Sequence, residues 1–450
     1  MDAIATHHRT RAGLLRGLIA VLAAGCLAAG CTVAAASPSS TAAPQSSPSP
    51  SASAQPTASP TNPTPTALSS VGPAPAGRWT GIRWIAAGPV FPQTPVPDSG
   101  DGSSVQISVF GWSRGYVGFR TAVSPTLSET EPTAENWVTV STASADGLHW
   151  TPGKALDAGD GTDSWVFISG VVEGPAGLLA VGRNPAATCG GPPTVGALWT
   201  SPDGQTWTRV QLPADFASAR VYTVDAGSAG YIATGTLKDD VTPAVWVSAD
   251  GRSWHRTALP MPTSGVVVDG ATAFAGGYVI SGAHPFDAGC GESEYVPSLW
   301  WSADGNSWTP GKPPGAMPSD SVSVTVNRIS DRALIAIAQQ WDATSLVSSQ
   351  QVWVSGDGRT WNSIKSPSSL LSDRILSNGQ RGVVVVQAAN GGPPTIATVD
   401  DDLTVTTLGQ SGQGPVDSDT SNAWTSALGP TGVVVLSLDG LNLWLGVPTD

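Results

Sequence analysis

The sequence predicts an all-β fold, a seven-bladed β-propeller, and three observations support this. A short motif, Ser-x-Asp-Gly-x-x-Trp, occurs five times at nearly constant spacing. Seven short runs rich in apolar and β-branched residues, most of them beginning with Gly, are distributed through the same part of the chain. The last unit lacks a final strand, and a segment near the start of the chain has the pattern of the missing strand. A repeat of roughly fifty residues is typical of folds in which one small sheet recurs.

The repeated motif, which we call the Asp-Gly turn, predicts a tight turn between two strands. Four of the five copies directly follow an apolar run that contains Trp, such as ALWTS and AVWVS. An apolar run, then Asp-Gly, then Trp is the pattern of strand, turn and strand. The five Asp residues, 47 to 57 positions apart, are Asp146, Asp203, Asp250, Asp304 and Asp357.

The seven apolar runs predict one blade each, so two blades must lack a full copy of the motif. In the sixth unit, VDDDLTV places Asp401 in the Asp position and Val405 in the Trp position. The seventh unit ends at NLWLGVPTD, and the segment GRWTGIRWIAAG at 77–88 resembles the strand that follows the turn in other units. We therefore expect the N-terminal strand to complete the last blade, which closes the ring and leaves no open sheet edge.

These motifs resemble the Asp-box, or BNR, repeats of sialidase-like β-propellers, with one residue fewer between Asp and Trp. In that family the Asp caps the turn between the third and fourth strands of a blade, and the Trp packs between blades. The resemblance therefore implies a structural role for the five Asp residues. The physical chemistry agrees, because Asp readily accepts hydrogen bonds from nearby backbone N–H groups and Gly adopts positive φ.

The N-terminus predicts export. Residues 1–30 combine three Arg residues with an apolar run from Leu18 to Gly30, as in a signal peptide, and the run is too short to span a bilayer. The segment LAAGCLAAGC resembles the lipobox of bacterial lipoproteins, in which a Cys is acylated and becomes the mature N-terminus. Cys31 is favoured over Cys26 because cleavage there uses the whole apolar run. A plain signal peptide with two incidental Cys residues is the alternative.

Residues 31–77 consist almost entirely of Ser, Pro, Ala and Thr. Such a segment buries too little apolar area to fold, so we expect a disordered tether, with the propeller occupying 78–450. The expected location is the outer face of a bacterial cytoplasmic membrane, reached through the lipid anchor alone. The propeller itself is expected to be monomeric.

The charge excludes some partners. The chain has 34 acidic and 21 basic residues, a net charge of −13, which argues against nucleic acid and against an anionic membrane surface. The sequence contains no HExxH, CxxC, GxSxG or Walker motif. The Asp-rich segment DAGDGTD lacks the residue order of a calcium loop. We therefore expect neither a metal nor a cofactor.

The candidate binding site lies on the face opposite the Asp-Gly turns. That face carries the loops between second and third strands and between blades, and several are long. Long loops on a rigid scaffold commonly bind ligands. The loop 283–298 is richest in polar groups, and Trp341 lies in another long loop. The candidate binding residues are His284, Asp287, Glu292, Glu294, Tyr295 and Trp341.

Two Cys residues remain in the propeller, Cys189 and Cys290. In an exported protein such a pair is a candidate disulfide. The two lie in corresponding loops of blades two and four, and the loop of blade three between them is short, so a bridge over blade three is feasible. The sequence leaves open whether the bond forms.

The resemblance does not extend to the catalytic residues of sialidases. That family uses three Arg residues, a Tyr nucleophile with a Glu, an Asp acid and an Arg-Ile-Pro element, whereas here Arg83 precedes Trp. The sequence therefore favours a non-catalytic module that binds a protein or an envelope glycan. The alternative is a glycoside hydrolase, which needs two facing carboxyl groups, or a carbohydrate-binding protein. A third possibility is an assembly factor related to photosystem-assembly propellers.

Overall fold

A computed structural model describes residues 74, 78–87, 90–91, 106–123, 137–156, 166–183, 196–237, 242–259, 265–287, 293–311, 313–330, 332–342, 347–364, 374–377, 382–386, 394–400, 404–412, 414–415, 424–437 and 442–450. The chain divides into two units, Met1–Leu68 and Ser69–Asp450. The first unit, with the predicted signal peptide and most of the predicted tether, lies outside the described residues. The second unit is nearly all β.

The first strand, β1 (Gly81–Ala87), belongs to the last blade. The next three sheets each contain four antiparallel strands in sequence order. Blade 1 contains β2 (Gln106–Trp112), β3 (Gly115–Val123), β4 (Trp137–Ser144) and β5 (Thr151–Ala155); blade 2 contains β6 (Phe167–Gly174), β7 (Gly177–Arg183), β8 (Gly196–Ser201) and β9 (Thr208–Arg209); blade 3 contains β10 (Arg220–Gly227), β11 (Gly230–Thr236), β12 (Pro243–Ser248) and β13 (His255–Thr257).

The next three sheets repeat this order. Blade 4 contains β14 (Val267–Phe274), β15 (Gly277–Asp287), β16 (Ser293–Ser302) and β17 (Thr309–Gly311); blade 5 contains β18 (Ser321–Ser330), β19 (Ala333–Asp342), β20 (Val347–Ser355) and β21 (Asn362–Ser363); blade 6 contains β22 (Arg374–Ser377), β23 (Gly382–Val386), β24 (Thr395–Val399) and β25 (Val405–Thr407). A single-turn helix, α1 (Ala214–Ala217), precedes blade 3, and the sequence pattern did not predict it.

Blade 7 closes the ring, as predicted. It contains β27 (Trp424–Gly429), β28 (Gly432–Ser437) and β29 (Leu443–Thr449), and β1 pairs antiparallel with β29 from Gly81–Thr449 to Ala87–Leu443. A further strand, β26 (Gly409–Ser411), pairs parallel with β1 and covers the outer edge of the blade. The sequence pattern did not predict this strand, because three residues are too few to show a period.

The first strands of consecutive blades contact one another all around the ring, including β27 of blade 7 against β2 of blade 1. These seven strands therefore surround a central channel. The described hydrophobic core consists of seven clusters, each between two neighbouring blades. The Trp residues in the third strands, including Trp199, Trp246 and Trp353, are almost fully buried in these clusters. The apolar-Trp runs of the sequence thus supply the packing between blades. The seven-bladed β-propeller predicted from the sequence is confirmed.

The Asp-Gly turns join the third and fourth strands, and the turn at Asp250 shows the arrangement. Its Oδ1 accepts hydrogen bonds from the backbone N–H of Arg252 (2.8 Å) and Ser253 (2.6 Å). The Ser248 hydroxyl donates to the same oxygen and accepts from the N–H of Gly251, whose φ is +70°. The backbone N–H groups of Ser253 and Arg252 lower the pKa of Asp250 to about 2. Equivalent bonds to backbone N–H groups occur at Asp146, Asp203, Asp304 and Asp357.

The Trp that ends each motif fixes the far side of the turn. In four copies its indole Nε1 donates to the carbonyl of the motif Gly, as Trp254 does to Gly251 at 3.0 Å. In the fourth copy Trp308 donates instead to the Thr257 hydroxyl of blade 3, at 3.3 Å. The turns are therefore held by their own hydrogen bonds, and several also bond to a neighbouring blade, as the Thr431 hydroxyl of blade 7 does to Asp146 O at 2.9 Å.

Candidate functional site

The propeller has two different faces. In blade 3, Tyr231 near the start of β11 pairs with Ser248 at the end of β12, so the first-to-second turn and the Asp-Gly turn lie at the same end. We call this end the Asp-Gly face. At the other end Thr236 pairs with Pro243, and there the second-to-third connection and the connections between blades begin. This is the long-loop face, on which the sequence analysis placed the candidate binding residues.

In blade 4, strands β15 and β16 extend into a long hairpin on the long-loop face. His284 pairs with Val296, and the exposed His284 ring contacts the buried Ser298 hydroxyl through Nδ1. Because this hydroxyl donates to the carbonyl of Val296, it accepts from the imidazole Nδ1–H. Ser298 thus fixes the orientation of the ring. Glu294 is partly exposed farther along the same hairpin.

Tyr295 in this hairpin is joined to blade 5. Its backbone N–H donates to Ser319 O at 2.8 Å, and Ser319 N–H donates to Tyr295 O at 3.0 Å. The Ser319 hydroxyl donates in turn to the backbone carbonyl of Trp341, the penultimate residue of β19. The structure therefore brings Tyr295 and Trp341, 46 positions apart, to one region of the long-loop face.

A third large side chain lies in the same region. The buried Gln340 amide donates to the carbonyl of Met317, which holds the segment before blade 5 against the end of β19. Met317 is 63% exposed and Trp341 is 43% exposed, and both are among the few exposed large apolar side chains of the described residues. We call Tyr295, Met317 and Trp341 the Trp341 patch.

Tyr295 and Trp341 of this patch were predicted from the sequence, whereas Met317 was not. Met317 lies in the connection between blades 4 and 5, in a segment without periodicity. Its position depends on the bonds that Ser319 and Gln340 make, and these join residues from different blades. The signal available in the sequence was weak: an isolated Met between two Pro-containing stretches of an inter-blade connection.

The other candidate residues lie partly or wholly outside the described residues. For Asp287 the structure describes the backbone, which pairs with Ser293 at the tip of the hairpin. Outside the described part are Cys26, Cys31, Cys189, Cys290, Glu292 and Asp401. The predicted lipidation and disulfide therefore remain predictions.

In the central channel, side chains of one blade bind inner-edge backbone groups of the next. Asp225 of blade 3 accepts from Ala273 N–H of blade 4 at 2.9 Å, and Asp269 of blade 4 accepts from Val324 N–H of blade 5 at 2.6 Å. An innermost strand has no neighbouring strand on its channel side, so its N–H groups that face the channel need other hydrogen-bond acceptors. Both carboxyl groups act as such acceptors. Neither was predicted as a candidate residue from the sequence.

The two channel carboxyl groups differ in their surroundings. Burial raises the pKa of Asp225, whereas the Arg328 guanidinium lowers it, and Arg328 also donates to Ala226 O at 3.0 Å. Arg328 belongs to blade 5 and reaches blade 3, so it links blades on either side of blade 4. Burial raises the pKa of Asp269 to about 7, and the bond from Val324 N–H only partly opposes this.

Within the described residues, no group of three or more His, Cys, Asp or Glu side chains could hold a metal ion. In the same part of the chain, no helix is long and apolar enough to cross a membrane.

A scan against protein-family models gave no match, and a search of curated proteins gave none. Solved structures do match. A streptogramin B lyase is 11% identical with a TM-score of 0.41, over 82% of this chain and 99% of that chain. The β-propeller domain of the trilobed protease from Pyrococcus furiosus is 8% identical with a TM-score of 0.42, over 77% and 95%. The α-L-arabinofuranosidase Arb93A from Fusarium graminearum is 12% identical with a TM-score of 0.33, over 74% and 97%. At these values the matches carry no information about activity or ligand.

Proposed function

We propose that this chain is a non-catalytic, lipid-anchored β-propeller at the outer face of a bacterial cytoplasmic membrane, and that it binds a protein or envelope partner through its long-loop face. The observation that carries the proposal is the Trp341 patch, where Met317 and Trp341 are exposed beside Tyr295. Aromatic and Met side chains are enriched in protein interfaces and often dominate their binding energy. The repeated turns, with their resemblance to Asp-boxes, supply the rigid scaffold.

The position at which the described chain begins supports binding through the long-loop face. Ala74 N–H donates to the carbonyl of Pro430, which lies in the turn between β27 and β28 on the Asp-Gly face. The chain therefore enters the propeller at the face opposite the Trp341 patch.

A carbohydrate-binding role is the second candidate, and the exposed indole of Trp341 favours it because an aromatic ring packs well against the apolar face of a sugar. Hydrolysis has less support. Asp225 and Asp269, the carboxyl groups described in the channel, each accept a backbone N–H from a neighbouring blade. Carboxyl groups bound in this way fit a structural or ligand-binding role better than the role of the facing acid and base of a glycoside hydrolase.

The proposal is tested by cross-linking full-length protein on intact cells of the expressing bacterium. We expect Trp341→Ala to reduce recovery of the cross-linked partner at least tenfold while the circular dichroism spectrum stays unchanged. Arg252→Ala, at an exposed position on the Asp-Gly face, is the matched control and should leave recovery unchanged. Equal recovery with Trp341→Ala and with wild type would contradict binding through this patch. A glycan array probed with the same proteins distinguishes an envelope glycan from a protein.

A further inference from the structure

Three neighbouring blades have a β-bulge at the same position of their innermost strand. The register of β6 against β7, of β10 against β11 and of β14 against β15 shifts at the third residue of the first strand. Bulges redirect side chains and are frequent beside active sites. The residues at the three bulges, all near the long-loop end of the channel, are Ser169, Tyr222 and Asp269.

The bulges of blades 3 and 4 lie side by side. A Cβ atom added to Gly270 would be 3.8 Å from the Thr223 hydroxyl oxygen, so the residues next to the two bulges approach van der Waals contact. Tyr222 is 41% exposed, and its hydroxyl is held by the Thr236 hydroxyl at 3.1 Å. The ring of Tyr222 is therefore both accessible and fixed in position.

Asp269 has an incomplete set of partners. Its Oδ2 accepts from Val324 N–H, whereas Oδ1 has no hydrogen-bond partner in the described part of the chain. Asp225 provides the comparison, because both of its oxygens accept backbone N–H groups and Arg328 supplies a positive charge. A partly buried carboxyl group with one oxygen open to solvent, and with no ion pair among the described residues, is complemented by a cationic hydrogen-bond donor.

We propose that the bulges of blades 3 and 4 form a binding site, separate from the Trp341 patch, for a small ligand that carries a primary ammonium group. The ammonium donates to Oδ1 of Asp269 and provides the missing positive charge. The face of Tyr222 stabilises the cation or packs against the carbon atoms next to it. The net charge of −13 favours the approach of a cation.

Glucosamine and N-acetylglucosamine form a matched pair of probes, because acetylation removes the positive charge and keeps the sugar ring. We expect calorimetry at pH 7 on the full-length protein to show one glucosamine bound per chain, with at least tenfold weaker binding of N-acetylglucosamine. Equal binding of the two sugars would overturn the proposal, and so would the absence of glucosamine binding.

Substitutions at Asp269 and Tyr222 test whether these residues bind glucosamine. Asp269→Asn keeps an acceptor for Val324 N–H and removes the charge, so we expect a folded protein with at least tenfold weaker glucosamine binding. Tyr222→Ala should also weaken binding, whereas Tyr222→Phe should retain it. Asp215→Asn removes an exposed carboxyl group of α1 and should leave the affinity unchanged. Retained binding by Asp269→Asn, or an equal loss in Asp215→Asn, would overturn the proposal. Partner recovery through the Trp341 patch is measured separately and should not change in Asp269→Asn.

Discussion

Trp84 of the N-terminal strand donates a hydrogen bond from its indole Nε1 to the side-chain carbonyl of Gln410, at 2.8 Å. The Gln410 amide in turn donates to the carbonyl of Pro394, just before the third strand of blade 6. The two residues are 326 positions apart in the chain. The strand that closes the ring is thus bound on one side by the backbone of β29 and on the other by β26 and its side chains.

Replacing Trp84 therefore weakens the closure of the ring. Trp84 is buried in the core between blades 6 and 7, so we expect Trp84→Ala to lower the free energy of unfolding by about 3–5 kcal/mol. Trp84→Phe keeps most of the packing and loses the bond to Gln410, at a cost of about 1 kcal/mol from the hydrogen bond. Urea denaturation followed by tryptophan fluorescence measures both. A similar midpoint for Trp84→Ala and wild type would show that β1 contributes little to closure.

A second prediction concerns the contact between blades 1 and 7. A Cβ atom at Gly111 would lie 1.8 Å from the backbone carbonyl oxygen of Leu428, and neither backbone can move without separating the blades. We expect Gly111→Ala to destabilise the protein by about 2–3 kcal/mol, as overpacking does, and to lower the melting temperature. Gly409→Ala is the matched control, since its nearest neighbour, Thr80 O, is 4.0 Å from the added atom. Equal melting temperatures for the two variants would contradict the close contact.

A third prediction concerns the Asp-Gly turns. Asp250→Ala removes the acceptor of two backbone N–H groups and should cost about 1–2 kcal/mol. Hydrogen exchange should be faster at Arg252 and Ser253 in this variant. Asp215→Ala, in α1, removes an exposed carboxyl group and serves as the control. Unchanged exchange at the turn would show that Asp250 is not its main acceptor.

The turn at Asp250 should also make the stability of the protein depend on pH. Because the pKa of Asp250 is lowered to about 2 in the folded protein, its stabilisation is present above pH 4 and is lost as the pH falls towards 2. Asp250→Asn should reduce the loss of stability over that window. Denaturation midpoints measured from pH 5 to pH 2 for the two proteins give the comparison, and parallel curves would contradict the prediction.

The contribution of Asp269 to stability should change with pH in the opposite direction. Its pKa is raised to about 7, so the folded protein binds this proton more tightly than the unfolded chain does. The stabilisation from that proton is complete below about pH 4 and is lost as the pH rises to about 7. We expect Asp269→Asn to flatten this part of the stability profile. A profile between pH 4 and pH 7 that is identical in the variant and the wild type would contradict the raised pKa.

Much of the fold was predictable because its signals are local. Asp250, Gly251 and Trp254 form their hydrogen bonds within one turn, so the same few letters produce the same turn wherever they occur. The seven apolar runs in the same part of the chain then predicted the number of blades. The candidate site was predicted less completely. Tyr295 and Trp341 were identified from their loops, whereas their link through Ser319 joins two blades and has no local pattern.

By itself, the sequence determined the blades, their turns and the strand that closes the ring, because repeated motifs and alternating apolar residues specify hydrogen bonds between near neighbours. Only the tertiary structure decided what surrounds each functional side chain. The backbone of Met317 lies against the end of β19, close to Trp341 in the fold, because Gln340 binds its carbonyl. Among the described residues, blade 5 supplies Asp269 with a single N–H and with no cation. Such surroundings come from the packing of distant segments, which no short stretch of sequence encodes.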